Sequence, residues 1–177
     1  FLLAALDHRV DSASGSIVKA DPNQSIYVDI FARTFYIGGV VTILCLLLGF
    51  PVAYWLATLP EGKSNLLMIC VLLPFWTSLI VRTAAWVVLL QSDGLINRSL
   101  LFLGVIDAPV QLVFNRTGVI IAMTHVLLPF MILPLYSVMK NIPTNYVRAA
   151  ISLGAHPFVA FWRVYVPQTF AGLAAGA

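Results

Sequence analysis

The stretch "FYIGGVVTILCLLLGFPVAYWLATL", Phe35 to Leu59, contains no charged residue and exceeds the roughly 20 helical residues needed to cross a hydrocarbon core. Its apolar residues are continuous rather than alternating, so it reads as a helix and not as a half-buried strand. In lipid each backbone N–H and C=O must be bonded within its own segment, which makes the helix the spanning form for such a run. Two further runs repeat the pattern. "LLMICVLLPFWTSLIVRTAAWVVLL", Leu66 to Leu90, follows the short polar turn "PEGKS" and is interrupted by Pro74 and Arg82. "VIIAMTHVLLPFMILPLYSV", Val119 to Val138, carries His125 and two prolines but no formal charge. Transmembrane helices are therefore expected over 35–59, 66–90 and 119–138, with the start of another span over 167–177.

Composition agrees. The 177 residues are 60% hydrophobic and 10% charged, with a mean hydropathy of +0.95, which leaves too little polar surface to clothe a water-soluble globule of this size. The expected fold is all-α, a polytopic transmembrane helical bundle forming one membrane domain over 1–177. The lipid bilayer is one partner. Nucleic acid is not, because the net charge of +3 is spread thinly and no basic run occurs. Cys45 and Cys70 lie inside apolar runs and read as small buried hydrophobes. "FLLAAL" at 1–6 reads as the tail of an apolar segment, and "FAGLAAGA" from Phe170 stops while still apolar. The chain is thus read as a fragment, truncated at both ends, of a protein of about six spans.

Residues 7 to 30 are polar and rich in turn formers, so 1–34 is expected to hold the end of a span and a solvent loop. A second loop, Gln91 to Thr117, contains Leu95, Ile96, Leu100 and Leu103 at helical spacing, which suits a helix lying along the membrane surface. Alternating crossings put these two loops on one side, and "PEGKS" with the segment after Val138 on the other. Basic residues do not orient the chain: Lys63, Lys140, Arg148 and Arg163 on one side face Arg9, Lys19, Arg33, Arg98 and Arg116 on the other. Acids favour the loop side, with Glu61 alone on the opposite one, but they carry little topological weight.

The segment "YVRAAISLGAHPFVAFWRVYVP", Tyr146 to Pro167, cannot itself be a span. Proline is pre-shaped for a first helical turn and threonine can cap one, so Pro143 and Thr144 supply a helix start, and Val147, Ala150, Ile151 and Gly154 share one face. Gly154 suits a left-handed helix stop. The chain then restarts as a second helical piece that meets Pro167, giving a bent pair of helices with small residues where a partner could come close.

The spacing within this segment is more specific than its geometry. Arg148-Ala149-Ala150, three residues, Gly154, nine residues, then Val164-Tyr165-Val166-Pro167 resembles the EAA loop, Glu-Ala-Ala-x3-Gly-x9-Ile-x-Leu-Pro, of the permease subunits of bacterial ABC importers. "LLPFWTSLIVRTAAWVVLLQSDGLIN" and "LLPFMILPLYSVMKNIP" are similar to the corresponding stretches of spermidine and putrescine permeases, so the resemblance runs over about Phe31 to Gly172. It implies that 143–166 is a cytoplasmic coupling segment seated in a groove of an ATPase subunit, through Arg148, Ala149, Ala150, Gly154 and Pro167. It also makes the acidic loops periplasmic and places the protein in the bacterial inner membrane. The implied partners are cytoplasmic ATPase subunits, a second permease subunit in a homo- or heterodimer, and a periplasmic substrate-binding protein. Arg148 departs from the motif, which has an acid there.

No G-x-x-x-x-G-K-[ST] phosphate loop occurs, so ATP and magnesium are expected on the partner ATPase, and the chain itself is not expected to be an enzyme or to carry a cofactor. Clustered Cys and His ligands, H-E-x-x-H and close carboxylate pairs are also missing from the spans, so neither a catalytic nor a metal site is expected. The candidate translocation path is Trp76, Thr77, Arg82, Trp86 and His125. A charge within a span marks a path, a buried pair, a snorkelling side chain or a helix break, and His125 lines a polar cavity or is a satisfied buried histidine. "NRS" at Asn97 and "NRT" at Asn115 match a glycosylation pattern of little meaning in a bacterial chain, and Gly172 with Gly176 fits close helix packing. The resemblance implies import of polyamines by alternating access. The alternatives are another small solute, such as an opine, phosphonate or metal chelate, a non-transporting membrane scaffold, and, least favoured, an intramembrane enzyme using Arg82 and His125.

Overall fold

A computed structural model describes residues 8–10, 17–19 and 27–177. The expected end of a span at 1–6, and most of the loop that follows it, lie outside the described residues. The contacts divide the chain into two units that meet at Val40 and Val41.

In the first unit, β1 (His8–Val10) and β2 (Ile17–Lys19) pair antiparallel, with Arg9 opposite Val18. This region was expected to be loop alone. The helix α1 then runs Tyr27–Thr58, beginning well before Phe35. Nothing between Tyr27 and Phe35 breaks a helix, since the segment has no proline or glycine and a helix need not stop where lipid stops.

The second unit continues α1 and adds α2 (Glu61–Leu72), a 3-10 turn (Leu73–Trp76), α3 (Leu79–Leu90), α4 (Leu95–Phe102) and α5 (Arg116–Lys140). It ends with α6 (Thr144–Ser152), α7 (Pro157–Ala160), a π turn (Phe161–Tyr165), α8 (Val166–Gln168) and α9 (Phe170–Gly176). Three segments are long and apolar enough to cross a membrane: Tyr27–Thr58, Leu79–Phe102 and Arg116–Lys140. Their outer faces are apolar, with Leu47, Ile80 and Val88 all well exposed, as suits side chains that face lipid rather than water.

The run expected as one span over 66–90 is broken. Proline has no N–H to donate and its ring crowds the carbonyl four residues back, and at Pro74 the helix tightens to the 3-10 turn and then opens at Thr77 (φ −94, ψ 140). The "PEGKS" turn is shorter than its polarity suggests. Pro60 is the N-cap of α2, and Glu61 sits in its first turn, where the helix dipole favours an acid. Ser64, fully buried, closes this corner by donating to the Leu56 carbonyl at 2.9 Å, while its oxygen lies 3.4 Å from the Tyr136 hydroxyl.

The core runs between α1, α5 and α9. Val41, Cys45, Gly49, Ala53 and Leu56 form the buried stripe of α1, and Met131, Ile132, Leu135 and Met139 form that of α5. A Cβ on Gly49 would lie 3.2 Å from Met131 Cγ, and one on Gly172 would lie 3.1 Å from the Pro134 carbonyl oxygen. Small residues let these backbones approach, which is how helices gain packing where lipid removes the hydrophobic drive. Of the two cysteines, Cys45 is buried as expected, but Cys70 is exposed, because α2 turns that face outward.

At the far end, Asn97 on α4 is fully buried. Its amide donates to the carbonyls of Gln91 (3.0 Å) and Val110 (2.9 Å), and its oxygen accepts from the Val110 N–H (3.1 Å). The asparagine that matched a glycosylation pattern is a loop latch. Asn115, at the other match, caps α5 by accepting from the Arg116 N–H at 2.7 Å. Replacing Asn97 with Ala strands three backbone groups, so Asn97→Ala should destabilise the 91–115 region by about 1–3 kcal/mol. Limited proteolysis of membranes should then cleave the 103–112 stretch faster than in the parent.

Candidate functional site

The segment after α5 begins at Pro143, the N-cap of α6 (φ −65, ψ 125), which makes no side-chain cap bond. Thr144 was expected to cap this helix and instead is its first residue, so proline geometry alone sets the start. Arg148 and Ala149 are exposed, whereas Ala150 is half-buried.

The helix stops as its glycine demands. Gly154 has φ +91, its N–H bonds the Ile151 carbonyl at 2.9 Å, and the Ala155 N–H reaches back to Ala150 at 3.0 Å. This is a Schellman stop, which satisfies the last carbonyls and needs a left-handed residue. Among the described residues, a Cβ on Gly154 would meet nothing within 4 Å, so they leave open space at the turn. His156 then caps α7, its Nδ1 accepting from the Phe158 N–H at 3.3 Å, with Pro157 at the first helical position. Tyr146, Leu153, Phe158 and Trp162 are exposed around the turn, Leu153 at 89%.

The second piece is two-sided. Trp162 and Arg163 face out, whereas Ala160 and Tyr165 are buried. The inner rings meet α1: Tyr54 lies edge-on to Phe161 and to Tyr165, at 5.3 Å in each case, and Phe50 lies 6.4 Å from Phe161. Phe161 and Tyr165 stack on each other at 5.5 Å. Burial, with Tyr54 beside it, pushes the Tyr165 phenol up to about 12, so it stays neutral at physiological pH. The π turn ends where Pro167 follows, and the Val166 N–H bonds the Phe161 carbonyl. Widening one turn makes room for the proline ring. Pro167 itself is exposed within α8.

The five candidate path residues fall into two groups and one outlier. At the helix break, the Arg82 guanidinium donates to the Pro74 carbonyl and, at 3.2 Å, to the Thr77 carbonyl, while the Thr77 hydroxyl donates to Pro74 at 2.8 Å. Arg82 thus takes up the carbonyls that the break exposes. In the second group, the Trp86 indole N–H donates to His125 Nδ1 at 3.3 Å, with the rings 5.4 Å apart. These two side chains line an open, mostly apolar cavity of about 330 Å³ with Leu44, Leu48, Ile121, Thr124 and Leu128. Trp76 stands on the outside of the 3-10 turn, 90% exposed. Among the described residues, no His, Cys, Asp and Glu cluster could hold a metal ion.

No family model matches the chain. Curated relatives do. The chain is 37% identical over 151 residues, 85% of its length, to "Spermidine/putrescine transport system permease protein PotB" of Salmonella typhimurium, covering 53% of that protein. It is 33% identical over 84% of its length to "Inner membrane ABC transporter permease protein YdcU" of Escherichia coli, covering 51% of it. Over 76% of the chain it is 31% identical to "Molybdenum transport system permease protein ModB" of Mycobacterium bovis, covering 49% of it. The chain belongs to the ABC transporter permeases. It spans about half the length of the curated relatives it matches.

Three features of this permease had no sequence reading. The Phe50, Tyr54, Phe161 and Tyr165 cluster joins residues more than a hundred positions apart, which no local pattern announces. Thr124, beside His125, is buried, and its hydroxyl has no partner among the described residues. Ser64 was read only as part of a polar turn. The Arg82 bonds give a direct prediction: Arg82→Met should lower stability to unfolding in mixed micelles by about 1.5–3 kcal/mol, the contribution of hydrogen bonds from a charged donor. Arg82→Lys should recover part of that loss, because an ammonium still donates.

Proposed function

We propose that the chain is part of the membrane-embedded permease subunit of an ATP-driven, binding-protein-dependent importer in the bacterial inner membrane, moving polyamines by alternating access. The observation that carries this reading is the Gly154 stop, which presents Arg148 and Ala149 at an exposed bend in register with the coupling motif. In this reading residues 143–166 are cytoplasmic and dock on an ATPase subunit through Arg148, Ala149, Ala150 and Gly154, with Pro167 closing the segment. ATP and magnesium sit on that partner, and the permease chain needs no cofactor of its own. A second permease subunit completes the path, and a periplasmic protein delivers the solute. Arg148 reverses the sign of the motif's acid, so the surface it meets on the ATPase is acidic or carbonyl-rich.

The names of the PotB relatives support a polyamine cargo. Trp86 and His125 are proposed to line the path, with Trp76, Thr77 and Arg82 at its broken helix. A second reading, an anionic solute, is favoured by the cationic Arg82 at the break and by the relative named for molybdenum transport.

Uptake decides the cargo. Full-length permease produced with its ATPase and binding protein, in cells lacking other polyamine uptake, should accumulate labelled spermidine or putrescine, and competition by molybdate or a phosphonate instead would favour the second reading. The docking surface is tested by Gly154→Val. Open space around the glycine limits the cost within the chain to backbone strain of about 1–2 kcal/mol, so the spans should still insert. Purified Gly154→Val permease should nevertheless retain little ATPase and transport little solute. Normal retention with normal uptake would remove this bend from the docking surface.

A further inference from the structure

We propose that Phe50 and Tyr54 on α1, packed against Phe161 and Tyr165, form the joint through which the docking segment moves α1. This rests on the docking role given above to residues 143–166. The segment presents two faces at once. Trp162 and Arg163 are exposed on one side, and Phe161 and Tyr165 hold α1 on the other. A displacement imposed on the outer face is therefore delivered to rings rather than lost in a loose loop.

The receiving point on α1 is built to yield. Pro51 lies between Phe50 and Tyr54 inside α1, and a proline there removes one helical hydrogen bond and crowds the preceding turn. The delivering element is a π turn bounded by Pro167, a helix form of weaker bonding often met at functional sites. The rings themselves are well fixed. Edge-on contacts from Tyr54 to two partners and the stack between Phe161 and Tyr165 define their orientation, because edge-to-face and offset arrangements are the favoured geometries of aromatic pairs. Just above, α1 lies close against α5 at Gly49, so motion at Phe50 and Tyr54 is passed to the helix that carries His125.

The test uses full-length permease assembled with its ATPase subunits in lipid nanodiscs, with every native cysteine, Cys45 and Cys70 among them, replaced by Ala. Leu47, exposed on α1, is replaced by Cys and labelled with an environment-sensitive fluorophore, and the signal is followed on adding ATP. Tyr54→Leu and Phe50→Leu keep apolar bulk but remove a ring, and both lie outside the docking segment. Each should retain ATPase subunits as the parent does, yet show an ATP response reduced by about fivefold, in the range expected for loss of an aromatic pair. Tyr54→Phe, which keeps the ring, should respond as the parent. A full response in both ring-deleted variants, with ATPase retained, would overturn the joint and leave the docking reading intact. Loss of ATPase from both would also overturn it, by making the rings part of the docking surface. Failure of the parent to retain ATPase would instead overturn the docking reading itself.

Discussion

A carbonyl in hydrocarbon has no water to turn to, and each one left without a donor costs several kcal/mol. That constraint explains much of this permease. Pro51, Pro74, Pro129 and Pro134 each delete a donor within an apolar segment, and the chain answers at different levels. At Pro74 it breaks the helix and brings an arginine side chain to the exposed carbonyls. At Pro167 it widens a turn instead. Near Pro129 and Pro134 it keeps the helix and packs it closely, with the Pro134 carbonyl facing Gly172 of α9.

Close packing, aromatic contact and hydrogen bonding then divide the work within the second unit. Gly49, Gly172 and Gly176 bring backbone or near-backbone atoms of α5 within reach, and such contacts tolerate little sliding. At the end carrying the 144–168 segment, the contacts are rings against rings, which can tilt while staying in contact. The far end is tied by hydrogen bonds at Asn97. One end is thus suited to receive movement and the other to hold its shape.

Much of this was legible in order of length scale. The apolar runs at 35–59 and 119–138 fall on two of the three membrane-capable helices, whereas the run at 66–90 is broken at Pro74 and the third membrane-capable segment is Leu79–Phe102. The 148–167 spacing marked the exposed bend, because glycine and proline constrain backbone wherever they occur. Arg82 was legible as anomalous, and a helix break was among its readings, but the carbonyls it takes up could not be named without the turn that exposes them. Asn97 carried no usable sequence signal beyond a glycosylation match of little meaning, and only its full burial and three hydrogen bonds show it to be part of the fold. Thr144 looked like a cap and is not one, because Pro143 already has the N-cap backbone.

The sequence by itself determined that the chain is a helical membrane protein, where its apolar segments lie and where a glycine-stopped bend interrupts them. These follow from transfer of side chains into lipid and from local backbone limits, and neither needs a partner segment. Which faces of those helices meet was decided only in three dimensions. A span that is apolar all round carries no periodic contrast between inside and outside, so the buried stripe from Val41 to Leu56 was marked only faintly, by small residues spaced for close approach. The ring cluster joining α1 to residues 161–165 was invisible for the same reason: aromatic side chains suit lipid and protein alike, and only their measured separation shows that they touch.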